Sequence, residues 1–598
     1  MKSKFIISMA LFVLVGIQGT VEAQEKKTEE KVKPVSIAHI KISGSLDEGA
    51  APAEPLFSSM QETLKGKIDR IKKAAADTNI KGLILEIDGL EVGWGKLDEL
   101  TEALSNFKKS GKKVFTYLES GEMKDYLIAL SSNKVILPES GWLMLTGLRA
   151  EVTFYKEMLE KIGAQADFLR VGDFKSAVEP YTRTTMSESS RKQMESVLDD
   201  FYEKSVVARI QQERVSKKWD ANQIRKMIDN GPYTARKSEE LGLVDMVGYF
   251  PSVTEAFKKE LKVEEINLVR NYGKDKVDEV DLSNPFAILK LFAAPKIVSN
   301  SKPKIAVIYA SGTINTGKSE IGLLGGESCG ATSMIQAIRQ AENDKSVKAI
   351  VLRVDSPGGS ALASDLIWAE LMRCKKPVVA SMSDVAASGG YYICMAASKI
   401  FAEPGTITGS IGVFGGKINM GGTYAKLGIT SEVITRGANA NLFSSTNSFS
   451  KSEREAMTRL IEDCYDQFIT KALKGREKSG KKLDRKTLES LAGGRVWTGR
   501  QAKENGLVDE LGTMQDAVKM ASKLGGLPAD QEPELLLLPK SKSFLDSLLD
   551  PKAGLSISST LDIIGASSLR GELKGIDSFL RMRNDPMWLM LPFNVKVK

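Results

Sequence analysis

Along this chain, short runs of consecutive apolar residues alternate with stretches whose apolar positions recur every three or four residues, the pattern of buried strands followed by helices. Ala349-Ile350-Val351-Leu352-Arg353-Val354 and Pro377-Val378-Val379-Ala380-Ser381-Met382 read as strands. Ala361 to Leu371 reads as a helix with Ser360 at its N-cap. Further on, Met457, Leu460, Ile461, Cys464, Tyr465 and Phe468 mark the core-facing stripe of a longer helix. Strands alternating with helices imply a parallel sheet joined by crossover helices, an α/β fold.

This pattern occurs twice. Ile80-Lys81-Gly82-Leu83-Ile84-Leu85-Glu86-Ile87-Asp88 matches Val347-Lys348-Ala349-Ile350-Val351-Leu352-Arg353-Val354-Asp355, and Leu243-Val244-Asp245 matches Leu507-Val508-Asp509. Lys33-Pro34 pairs with Lys302-Pro303 and Met194 with Met457, so the offset drifts only from 269 to 263. A tandem duplication follows: a first repeat over 33–261, a connector over 262–301, a second repeat over 302–525 and a C-terminal extension over 526–598. Within the extension, Leu535 to Leu538 is expected to add a strand. A chain of 598 residues is too long for a single core, in keeping with this division.

Composition is that of a globular protein, 42% hydrophobic and 27% charged, and the net charge of +8 is spread along solvated helix faces. That spread speaks against a nucleic-acid partner and allows a weak attraction to anionic membrane surfaces. Lys2 and Lys4 precede a largely apolar run from Phe5 to Ile17, and Val21-Glu22-Ala23 offers small residues where a signal peptidase cuts, so residues 1–23 read as an export signal. The 13-residue run is short of the roughly 20 residues that span a bilayer, which favours cleavage after Ala23 over the alternative of a short membrane anchor. The four cysteines lack metal-ligand spacing, and Cys394 and Cys464 are expected to be buried free thiols. Neither a metal nor a cofactor is indicated.

The chemistry concentrates in the second repeat. Asp355-Ser356-Pro357-Gly358-Gly359-Ser360 is a Gly-rich turn between strand and helix, and Ala387-Ser388-Gly389-Gly390-Tyr391-Tyr392 repeats that arrangement. A serine at a helix start between glycines is either an N-cap or a nucleophile beside its own oxyanion donors. The duplication bears on the choice without settling it, because unrelated drift between the copies would leave the same asymmetry. Ser388 aligns at an offset of 265 with Met123, and Lys175 aligns at the same offset with Ala440, so the serine is present only in the second copy and the lysine only in the first, as a single divided site would have them. The chain has one histidine, His39, on an early strand, where packing is the expected role. A serine hydrolase without histidine needs another base, and a lysine serves if burial lowers its pKa from about 10.4.

Together, Asp-Ser-Pro-Gly-Gly-Ser at 355–360, Ala-Ser-Gly-Gly-Tyr-Tyr at 387–392, Gly-Ser-Ile-Gly at 409–412, Phe-Lys-Ser-Ala at 174–177, the export signal and the duplication resemble the long form of the signal peptide peptidase A (protease IV) family. The resemblance implies two tandem crotonase/Clp-protease-like domains. It makes Ser388 the nucleophile, Lys175 the general base, Gly389 and Gly358 the oxyanion donors, and Ser410 the residue that orients the lysine. It further implies a homo-oligomer on the periplasmic side of the bacterial inner membrane, associated with that membrane, whose partners are peptide substrates, above all cleaved signal peptides. Two other functions are compatible with the fold alone: an acyl-CoA enzyme, against which the export signal argues, and an inactive scaffold.

Overall fold

The structure is a computed structural model that describes residues 34–49, 63–118, 121–274, 302–319, 328–480, 483–529, 531–539 and 587–591. Residues 1–23, read above as an export signal, lie outside these.

Each repeat folds around its own sheet. In the first, the strand order is Met246–Val247, Lys134–Leu137, Lys113–Leu118, Ile80–Glu91, Val35–Ser45, Ile266–Val269, with every neighbouring pair parallel. The second repeats this order with Glu510–Leu511, Lys399–Ala402, Val378–Ala387, Val347–Ser356, Lys304–Ser311 and Glu534–Leu538, these pairs again parallel. It adds Ile407–Gly409 beside Val378–Ala387, with Val496–Thr498 antiparallel to Ile407–Gly409. Parallel strands covered on both faces by crossover helices are apolar throughout, as in Ile350, Val351 and Leu352, all fully buried. On one face of the first sheet the helix Phe250–Leu261 packs Val253 and Phe257 against Ile84 and Phe115. The equivalent face of the second sheet receives the helix Met514–Leu524 through Ala517 and Ala521.

Two equivalent edge strands lie outside the repeat boundaries drawn from sequence, Ile266–Val269 in the stretch read as connector and Glu534–Leu538 in the extension. The helix over Lys451–Lys478 buries Met457, Ile461 and Phe468 as its periodicity predicts, whereas Leu460 is 44% exposed and faces outward. Cys394 is a buried free thiol, while Cys464 is only half-buried. Ser360 caps the helix Ala361–Arg373, its Oγ accepting from Ala363 N–H at 3.1 Å.

A third sheet joins the repeats. Its order is Ser328–Gly330, Thr313–Asn315, Gly358–Ser360, Met587–Met590, Val413–Asn419, Gln165–Val171. The last pair crosses the duplication: Val413 lies opposite Val171 and Asn419 opposite Gln165, antiparallel. Buried charge locks the same junction. Arg353 of the second repeat, 1% exposed, meets Glu48 at 2.5 Å and Glu99 at 2.8 Å, both from the first. Asp384, in the second sheet, accepts from the N–H groups of Gly93 at 3.0 Å and Lys96 at 2.8 Å, neutralising the start of the first-repeat helix Trp94–Lys109.

Candidate active site

The strand Val378–Ala387 ends at Ser388, and the helix Gly389–Cys394 begins immediately after it. The turn is sharp enough to hold Ser388 at φ 55° and ψ −112°, a backbone conformation that a side chain other than glycine rarely adopts. Surrounding structure imposes it, in part through the Ser388 N–H, which donates to Gly409 O at 2.8 Å. Although Ser388 occupies the N-cap position, its hydroxyl makes no capping bond. It lies 2.7 Å from Lys175 Nζ instead. The strained strand-to-helix turn is thus present although residue 386 is alanine rather than the glycine of a Gly-x-Ser-x-Gly elbow.

Lys175 arrives from the other repeat. It follows the strand Gln165–Val171, whose pairing with Val413–Asn419 carries the Gly172–Lys175 turn onto the second repeat. That approach requires missing side chains on both sides. A Cβ on Gly172 would stand 2.3 Å from the Gly493 carbonyl carbon, and one on Gly494 would stand 2.5 Å from Lys175 N. Phe174 N–H donates to Gly493 O at 3.0 Å, and Gln193 ties Phe174 O and Ser176 Oγ at 3.1 and 2.9 Å. Sequence reasoning missed Gly493, Gly494 and Gln193. The adjacent glycines after Ala492 were the available signal for a close backbone approach.

Lys175, Ser388 and Ser410 are each 0% exposed. Besides Ser388 Oγ, the amine has Ser410 O and Ser410 Oγ, both at 3.1 Å. Burial alone pushes the Lys175 amine well below the ordinary lysine range. Glu179, an acid close enough in sequence to offset this, is taken by Arg170 at 2.9 Å and by the Ser187 hydroxyl at 2.6 Å. Gly358 and Gly389 are adjacent, a Cβ on Gly358 falling 2.7 Å from Gly389 N. Gly358 N–H donates to Ser356 Oγ at 3.2 Å. All five residues singled out in the sequence therefore meet in one buried corner.

His39 takes no part. It pairs with Glu86 at 3.0 Å on the first sheet and stacks edge-on against Phe250. The first repeat's equivalent corner is filled differently. Met123 opens a helix there, and the buried Asp125 carboxyl, pushed up to about 7 by burial, accepts from Leu90 N–H at 3.3 Å.

Residues 106–264 and 370–527 each match Peptidase family S49, and residues 325–407 match Clp protease. The chain is 34% identical over 481 residues to "Serine protease SPPA, chloroplastic" of Arabidopsis thaliana, covering 80% of this chain and 68% of that one. It is 32% identical over 495 residues to "Protease 4" of Salmonella typhi, covering 81% and 75%. "Protease 4" of Haemophilus influenzae is 32% identical over 462 residues, covering 76% and 72%. The duplicated α/β fold and these relatives define a serine peptidase. The chain belongs to Peptidase family S49, which sets aside both the acyl-CoA enzyme and the inactive scaffold.

Proposed function

We propose that Ser388 is the nucleophile and Lys175 its general base, in a peptidase that degrades released signal peptides and other apolar peptides at the cell envelope. The 2.7 Å approach of Lys175 Nζ to Ser388 Oγ, with both residues fully buried, carries this reading. A neutral amine has two N–H donors and one lone pair. With both donors directed at Ser410 O and Oγ, the lone pair faces the Ser388 hydroxyl. As Ser388 Oγ attacks the peptide carbonyl carbon, its proton passes to Lys175. The oxyanion that forms accepts from the Gly389 N–H and from the Gly358 N–H, which gives up its bond to Ser356 Oγ, and Ser410 holds the amine in line. Collapse breaks the C–N bond, and Lys175 returns the proton to the leaving amine. Water then attacks the acyl-enzyme and gives a proton to Lys175; the ester C–O bond breaks, and Lys175 returns that proton to Ser388 Oγ as the carboxyl product leaves. Apolar substrates are favoured by the small and aliphatic residues that flank Ser388 and Ser410 along the chain, Val385, Ala386, Ala387, Ile411 and Val413.

A fluorophosphonate probe is expected to label the protein once, at Ser388, and Ser388→Ala is expected to lose both labelling and hydrolysis while keeping its circular dichroism spectrum. Hydrolysis that survives in Ser388→Ala would rule out this nucleophile.

The mature protein is proposed to begin near Gln24, outside the cytoplasm, and to assemble with copies of itself. Within one chain, 165–171 pairs with 413–419; the repeat equivalents at the offset of 265, 430–436 and 148–154, have no regular structure, and 430–436 is exposed. Exposed apolar side chains mark the first of these, Val433 and Ile434 within it and Leu427 and Ile429 just before it, and the exposed Met144 lies just before the second. Pairing 430–436 of one copy with 148–154 of the next would repeat the internal contact head to tail. N-terminal sequencing and light scattering of the exported protein test both statements. An intact Met1 would contradict the first, and a monomer would contradict the second.

A further inference from the structure

The slot between Gly358–Ser360 and Val413–Asn419 is filled by a strand from far along the chain, Met587–Met590. It runs antiparallel to both neighbours, with Gly358 opposite Met590, Gly359 opposite Leu589 and Ser360 opposite Trp588 on one side. On the other, Phe414 is opposite Trp588 and Gly415 opposite Met587. Leu591 N–H donates to Pro357 O at 2.8 Å, one residue before the proposed oxyanion glycine. Contact is so close at Gly358 that a Cβ there would stand 2.0 Å from Leu589 O.

Side chains alternate as they do in an extended peptide bound by strand addition. Trp588, 2% exposed, and Met590 pack on Val178 and Phe414, and Val178 lies in the turn that follows Lys175. Leu589, 0% exposed, inserts into the core of the second repeat. Leu591 joins the cluster that contains Ala387, the residue before Ser388. Five consecutive apolar residues, Met587-Trp588-Leu589-Met590-Leu591, thus lie against the two strands that carry or adjoin Gly358 and Ser410.

We propose that Met587–Leu591 is a substrate-like strand held in the peptide-binding slot of the Ser388 site, so that a peptide enters only when this strand withdraws. The proposal rests on the assignment of Ser388 as nucleophile. A strand that holds the slot nine-tenths of the time raises the apparent KM for a competing peptide about tenfold and leaves kcat unchanged.

Two variants test it. Leu589→Asp places a carboxylate in the apolar slot and is expected to raise kcat/KM for an apolar fluorogenic peptide roughly tenfold, through KM. The free peptide corresponding to residues 585–592 is expected to inhibit that variant competitively. The second variant joins the strand to its neighbour: Phe414→Cys with Trp588→Cys, positions that face each other across the pair. Its oxidised form is expected to be at least about tenfold less active than the same protein after reduction, a comparison that does not depend on how well either substitution folds. Equal activity of the oxidised and reduced forms would overturn the proposal, as would inhibition by the peptide that does not raise KM. If the reduced double variant and the unsubstituted protein both lack Ser388-dependent hydrolysis, the assignment of Ser388 fails and the proposal falls with it. If both hydrolyse peptide but locking changes nothing, the proposal alone fails.

Discussion

Lys175→Arg is expected to be as inactive as Lys175→Ala, each losing on the order of 10³-fold in kcat. The reason lies in the pocket rather than in the loss of a positive charge. Lys175 is buried against Gly412 and Gly494, with serine oxygens as its hydrogen-bond partners and no carboxylate beside it. An ammonium is disfavoured there and an amine is not, so the group is ready to accept a proton. Arginine keeps its charge at any usable pH and cannot act as a base.

The same environment fixes the pH dependence. Burial lowers the Lys175 pKa, so the amine is protonated and inactive below that lowered value and free above it. Activity should therefore rise with pH and level off well short of the ordinary lysine value of about 10.4. Measuring kcat/KM for one apolar peptide across that range, with folding checked by circular dichroism, tests both statements. Substantial turnover by Lys175→Arg would sink the dyad.

The second large effect is expected at Arg353. Its guanidinium joins Glu48 and Glu99 of the first repeat to Ser381 and Ser383 of the second, all buried. Burial pushes the Glu48 carboxyl up, but Arg353 outweighs it and holds the pKa below the usual range. Arg353→Met leaves two buried carboxylates without their cation and should lower stability by about 3–5 kcal/mol, read as a fall in the urea midpoint. In the unsubstituted protein the Glu48 contribution is complete above the unfolded carboxyl pKa and fades as pH falls through the lower, folded value. In Arg353→Met the sign reverses. With only Lys96 and the Ser383 hydroxyl left to oppose burial, the folded pKa is expected to rise and lowering the pH to relieve the defect. Adding Glu48→Gln and Glu99→Gln should recover part of the loss at neutral pH. A midpoint for Arg353→Met that matches the unsubstituted protein would show that the junction does not depend on this cation.

Sequence alone determined the parts that rest on local pattern. Apolar runs such as Ala349 to Val354 marked strands because a strand buried on both faces has no polar side, and the shared offset exposed the duplication before any coordinates. The asymmetry between copies, serine in one and lysine in the other, also pointed to a single divided site. Tertiary structure decided whether those two residues meet. They are 213 positions apart, and no local spacing encodes the antiparallel pairing of Gln165–Val171 with Val413–Asn419 that closes the gap. The same holds for the lowered Lys175 pKa, because desolvation depends on what surrounds the amine rather than on its neighbours in sequence. The glycine pair Gly493-Gly494 was a signal in the sequence without a stated partner, and Met587–Met590 read only as an apolar run, since each acquires a role only from the backbone it lies against.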